Sequence, residues 1–158
     1  MKISRYLSLE EATKSQTAIK LGIDNTPNES QLANMKMVAN EIFDKVREHV
    51  GGPLYASSFF RSAKLNSAIV GSSKTSQHMK GEAVDLDADV FNNGTNVDIF
   101  YFIKENLVFD QVIGENPNKD GDFAWVHCSK TMGKNRGEVL VKLKEKYIPF
   151  GEYKLGMT

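Results

Sequence analysis

Along residues 30–48, Leu32, Met35, Val38, Ala39, Ile42 and Val46 recur every three or four positions, and Lys36, Glu41, Lys45 and Arg47 fall elsewhere. That period predicts an amphipathic helix, stopped by Gly51-Gly52-Pro53. A second helix is predicted from Thr95 to Asn106, where Thr95-x-x-Asp98 resembles a capping box with Asp in place of Glu. Ser62 caps a brief third helix running to Ile69, with Leu65 and Ala68 or Ile69 inward. Short apolar runs at 54–60, 109–113 and 123–128 read as strands. Residues 83–90 alternate Ala83, Asp85, Asp87 and Asp89 against Val84, Leu86, Ala88 and Val90, so one face of that strand is acidic. The stretch 139–147 fits both periods, and its Lys and Glu content favours helix. Residues 1–29 are mixed, with a turn cluster at Asp24-Asn25-Thr26-Pro27-Asn28.

Helices around several short strands predict an α+β fold: a small antiparallel or mixed central sheet with flanking helices. The chain's 158 residues suit one domain, 1–158, with 1–29 as an N-terminal extension packed on it. Twenty basic and 20 acidic residues give no net charge, which argues against nucleic-acid binding as a general property. The single cysteine, Cys128, rules out an intrachain disulfide. The first ten residues hold no apolar run of signal-peptide type, and no stretch approaches the ~20 residues needed to span a bilayer. Synthesis in the cytoplasm without stable membrane insertion is therefore expected, and so is a monomer.

The chemistry concentrates in Ser76-Gln77-His78-Met79-Lys80-Gly81-Glu82-Ala83-Val84-Asp85 and in Trp125-Val126-His127. If the strands carrying Asp85 and His127 are neighbours, two imidazoles and one carboxylate converge. Such a set suits catalytic zinc, because three protein ligands leave a fourth position for water. A cation also answers part of the desolvation problem posed by an inward acidic face. From the residues alone, other histidine roles and a metal-free site remain open.

Several ordered stretches resemble the M15 family of zinc peptidases, which includes D-alanyl-D-alanine carboxypeptidases, D-Ala-D-Ala dipeptidases and phage endolysins. They are Leu21–Pro27, Ser57–Ser62, Leu65-Asn66, Gly71–His78, Lys80–Asp85, Phe109–Ile113 and Trp125–His127. The likeness is nearest to the small-domain carboxypeptidase branch and implies a hedgehog/DD-peptidase-like fold. It further implies that His78, Asp85 and His127 hold Zn²⁺ and that Arg61 binds and polarises the substrate. Relatives commonly place an acid three residues before the last zinc-binding histidine, but Ala124 stands there. Glu115, at the close of the Phe-Asp-Gln segment, is then the favoured general base, and Asp122 is the alternative.

The resemblance implies hydrolysis of peptide bonds in peptidoglycan stems or cross-links, by carboxypeptidase or endopeptidase action. A small D-amino-acid peptide is the alternative substrate. A non-catalytic wall-binding or virion module is a reading of another class, supported by Ala124. Absence of a signal agrees with a phage lysin released after membrane permeabilisation, or with a virion-borne enzyme. Ser76 either caps a turn or meets substrate, and Gln77 either ties a loop or orients a ligand. Asp87 is read as one of a solvated face, with a hydrogen bond from a zinc-binding histidine as the alternative. His49 is expected at a surface. Cys128 should face the core, since neighbours on a strand point oppositely, and Trp125 should share the face of His127.

Overall fold

The computed structural model describes all 158 residues. Two short helices come first, α1 (Leu9–Thr13) and α2 (Gln16–Leu21). Ser8 and Glu11 form a reciprocal capping box at α1, and Ser15 caps α2. Helix α3 (Glu29–Val38) starts at an Asn28–Gln31 capping box and runs through a π-helical turn (Ala39–Phe43) into α4 (Asp44–Val50). The predicted stripe is the buried one: Met35, Val38, Ala39, Ile42 and Val46 are fully enclosed. Ser62 and Thr95 cap α5 (Ala63–Ala68) and α6 (Asn96–Asn106) as their spacing predicts.

Six strands follow one another across a mixed sheet: β1 (Tyr55–Ser58), β2 (Ala83–Asp87), β4 (Trp125–Ser129), β3 (Gln111–Glu115), β5 (Glu138–Leu143) and β6 (Lys146–Pro149). Every pairing is antiparallel except that of β3 with β5. The α+β expectation therefore holds. The helical preference for 139–147 does not. Val139, Val141 and Leu143 follow the strand period, and Lys144, at φ 55°, turns the chain into a hairpin that pairs Leu143 with Lys146. The Lys and Glu residues that suggested a helix are the polar positions of a half-exposed ribbon.

One face of the sheet makes the core. Val84 and Leu86 on β2, Val112 on β3, Val126 and Cys128 on β4 and Val141 on β5 pack in one cluster with Val38, Ile42, Phe43, Ile99, Phe100 and Ile103 from the helices. Burial of this apolar surface is the main driving force for the fold. Gly114 marks the tightest point, because a Cβ there would enter the ring of Phe123. Residues 1–29 contribute Ile3, Leu7 and Ala12 to the same cluster. Asp44 fixes this segment by accepting hydrogen bonds from Ser4 Oγ (2.7 Å) and Arg5 N (3.0 Å).

Candidate metal and hydrolytic site

Because side chains alternate along strands, the residues between the core positions all point to the opposite face. Gln111, Ile113 and Glu115 of β3, Trp125 and His127 of β4, and Asp85 of β2 line that face. It forms the floor of an open cleft of about 1420 Å³, walled by Arg61 and by residues 69–73 and 75–78. Asp85 is the direct antiparallel partner of His127, and Ile113 is the partner of His127 on its other side. The spacing along two distant segments becomes proximity because β2 and β4 are neighbours.

His78 arrives from outside the sheet, on a 3₁₀ turn (Gln77–Lys80) that precedes β2. Four attachments fix this turn. Ser76 Oγ caps it by accepting from His78 N, and Gln77 Nε2 donates to Asp110 Oδ2 at 3.0 Å. From α3, Gln31 Nε2 donates to Met79 O (3.0 Å) and Asn34 Nδ2 to Lys80 O (2.9 Å). Gly81 closes the turn at φ 73°, where a Cβ would lie 2.5 Å from the carbonyl oxygen of Gln31. Only glycine allows both the left-handed backbone and this approach to the helix.

The three side chains converge. Asp85 Oδ1 lies 3.3 Å from His78 Nε2 and 3.0 Å from His127 Nδ1, and one ligand atom from each residue falls within 4.8 Å of the others. His78 Nδ1 lies 2.6 Å from the carbonyl oxygen of Phe59. That oxygen only accepts, so Nδ1 carries the proton and Nε2 presents a lone pair towards the cluster, as ligating histidines require. Burial holds the His78 imidazole below its ordinary pKa and so keeps it neutral. Burial alone would raise the Asp85 carboxyl, but the two histidines outweigh it and hold the group well below the usual carboxylate range. An ionised carboxylate between two imidazoles suits a divalent cation. The donor chemistry and the fixed tautomer of His78 both fit such an ion.

Two further groups lie in the same cleft. They are the only residues of the chain with a buried side-chain polar atom that has no partner: Glu115 through Oε2 and Arg61 through Nε. Burial raises the Glu115 carboxyl above its ordinary pKa, and Lys142 and His127 only partly oppose this. Burial also lowers the Arg61 guanidinium, opposed by Asp85. Unpaired polar atoms of this kind cost stability, so their clustering beside a ligand set points to chemistry.

The remaining expected residues have structural partners. Asp122 Oδ1 accepts from Val97 N (2.8 Å) and Phe123 N (3.0 Å), which places it at the start of α6 and outside the lining of the cleft. Asp87 and Asp89 accept from the buried amide of Asn96, so the acidic face divides, with Asp85 alone in the cleft. Cys128 is enclosed in the core, and burial pushes its thiol pKa up. His49 pairs with Asp98 and stacks on Phe102. Sequence reasoning missed the link between Asp110 and Arg136, whose guanidinium Nη2 donates to Asp110 Oδ2 at 2.8 Å.

The model of the Peptidase M15 family matches residues 5–129, a span that contains the cluster and both unpaired groups. The chain belongs to the M15 peptidase family. Membership makes it a peptidase. No curated protein matches the sequence. As an M15 member it carries the family's match on β1–β4 and the preceding helices, while the β5–β6 ribbon lies beyond the matched span. No helix is long and apolar enough to cross a membrane.

Proposed function

We propose that this M15 member is a zinc peptidase that hydrolyses peptide bonds in peptidoglycan stem peptides or cross-links. The observation that carries the reading is the convergence of His78, Asp85 and His127 in one cleft with the unpaired Glu115 Oε2 and Arg61 Nε. His78, Asp85 and His127 would hold the ion. Bound there, zinc supplies Lewis acidity to the scissile carbonyl and lowers the pKa of water.

Glu115 is the general base. It is the register partner of Trp125, two positions along β4 from His127, a separation of about 7 Å along the strand. That gap accommodates a water between the carboxylate and the ligand cluster. Glu115 takes a proton from the attacking water and returns it to the leaving amine. The acid absent at Ala124 is thereby supplied from the neighbouring strand, where Ala124 N donates to Glu115 O at 2.8 Å. Arg61, which lines the cleft, offers its guanidinium to the substrate carbonyl or carboxylate and stabilises negative charge as it accumulates.

The peptidoglycan assignment draws on the family likeness together with a cleft open enough for a cross-linked peptide. Purified wall sacculi and free D-Ala-D-Ala, each incubated with zinc-loaded protein, separate the wall substrate from a small dipeptide through the new termini released. Release of termini from sacculi by the wild type but not by Glu115→Gln is the expected result. Hydrolysis of the dipeptide alone would refute the wall assignment, and equal release by Glu115→Gln would refute the assigned base.

A further inference from the structure

Beyond the metal cluster and the base, the cleft contains a cation held in an unusual way. Asp110 is nearly fully buried just before β3, and four donors converge on it: Gln77 Nε2 and, from Arg136, the backbone N (3.0 Å), Nε (3.1 Å) and Nη2 (2.8 Å). The paired side-chain bonds grip the guanidinium from one edge. Arg136 is nevertheless 56% exposed and lines the cleft. Its remaining edge, Nη1, has only a 4.0 Å approach from Glu138 Oε1, and Glu138 is already the acceptor for Gln111 Nε2.

A surface arginine ordinarily samples many rotamers and loses that freedom when it binds an anion. Here Asp110 has already removed it, so an anion meets a preorganised fork. The buried carboxylate also ties this fork to Gln77, the residue before His78, so the position of Arg136 is coupled to that of the ligand cluster. Asp110 lies three residues before Ile113, the strand partner of His127. At about 3.3 Å per residue the backbone at Asp110, whose carboxylate holds the guanidinium, is about 10 Å along the strand from the residue paired with His127. An extended peptide covers that distance in two or three residues.

We propose that Arg136 is a specificity residue that binds a carboxylate of the peptide substrate two or three residues removed from the cleaved bond. This rests on the peptidase reading and narrows it to acidic peptides. A terminal carboxylate directly following the cleaved bond is assigned instead to groups beside the cluster.

The test is a double-mutant cycle on binding, read by calorimetry in the zinc-loaded Glu115→Gln protein so that it does not depend on turnover. The probe is L-Ala-D-Glu-L-Lys-D-Ala-D-Ala, compared with versions carrying a carboxamide at the free D-Glu carboxylate or at the C-terminus. Arg136→Gln should weaken binding of the parent peptide about tenfold or more, with zinc content unchanged. The same substitution should have almost no effect on the peptide amidated at D-Glu, and its full effect on the one amidated at the C-terminus. Arg136→Lys, which keeps the charge but not the fork, should fall between. Equal losses for all three peptides, no loss for the parent, or coupling to the C-terminal carboxylate would each overturn the proposal. If the wild type binds these peptides with the predicted coupling yet cleaves none, the hydrolytic reading fails and the carboxylate site stands.

Discussion

Gly81→Ala probes the attachment of the His78 turn to the helix wall. The new methyl would sit at φ 73°, a backbone conformation that costs an L-residue roughly 1–2 kcal/mol. It would also lie 2.5 Å from Gln31 O and 2.8 Å from Met35 Cγ. Met35 is fully enclosed and Gln31 O belongs to helix backbone, so neither yields without moving α3. Overpacking of that kind adds about 1–3 kcal/mol. Gly22→Ala is the matched control, with φ 63° and nothing within 4 Å, so it carries the backbone cost alone.

For a chain of 158 residues, 1 kcal/mol corresponds to about 3 °C in Tm. Thermal melts in chelator, which remove any contribution from metal binding, should therefore show a loss of about 3–6 °C for Gly22→Ala and about 6–15 °C for Gly81→Ala. Zinc affinity should fall only in Gly81→Ala, because displacing the turn moves His78 away from Asp85. Equal melting temperatures and equal zinc affinities for the two variants would refute the tight turn–helix contact and its role in placing His78.

Other expectations follow from the same geometry. In the metal-free protein the Glu115 carboxyl, followed by NMR titration, should titrate above the ordinary glutamate range, since burial raises it. Titration at the usual glutamate value would contradict this. A carboxyl raised by folding gives stability that is present below its unfolded pKa and lost as pH rises through the folded one, so Glu115→Gln should raise the Tm of metal-free protein at pH 7. For Asp110 the sign is opposite. Hydrogen bonds from Arg136 lower its carboxyl to about 2, so its contribution is full above the unfolded value of 3.8 and disappears as pH falls towards 2. Asp110→Asn should accordingly cost about 1 kcal/mol at pH 7, a figure reduced for the exposure of Arg136, and this cost should vanish near pH 2. Cys128 in the folded protein should resist a thiol reagent that labels the unfolded chain at once, because its thiol is buried and its pKa raised.

Much of this site was legible because its logic is local. The alternation over 83–87 put Asp85 and Leu86 on opposite faces, and the same rule set His127 against Cys128. Caps at Ser62 and Thr95 worked because each hydroxyl answers a backbone N–H three residues on. The short α1 and α2 passed unnoticed, since helices of five and six residues show less than two turns of apolar period. The Ser8-x-x-Glu11 capping box was the available signal. Residues 139–147 satisfied both periods, and only pairing with β3 and the turn at Lys144 decided between them. Neither the Asp110–Arg136 contact nor the choice of Asp122 as a helix-end acceptor has a sequence signature, because both depend on which loops meet.

Zinc stoichiometry decides the ligand assignment, measured by elemental analysis on dialysed wild type and on Asp85→Ala and His127→Ala proteins whose fold is verified by circular dichroism. One zinc per wild-type chain and far less than one in each variant are expected. One zinc retained by both variants would place the metal elsewhere and contradict the assignment of His78, Asp85 and His127 as its ligands.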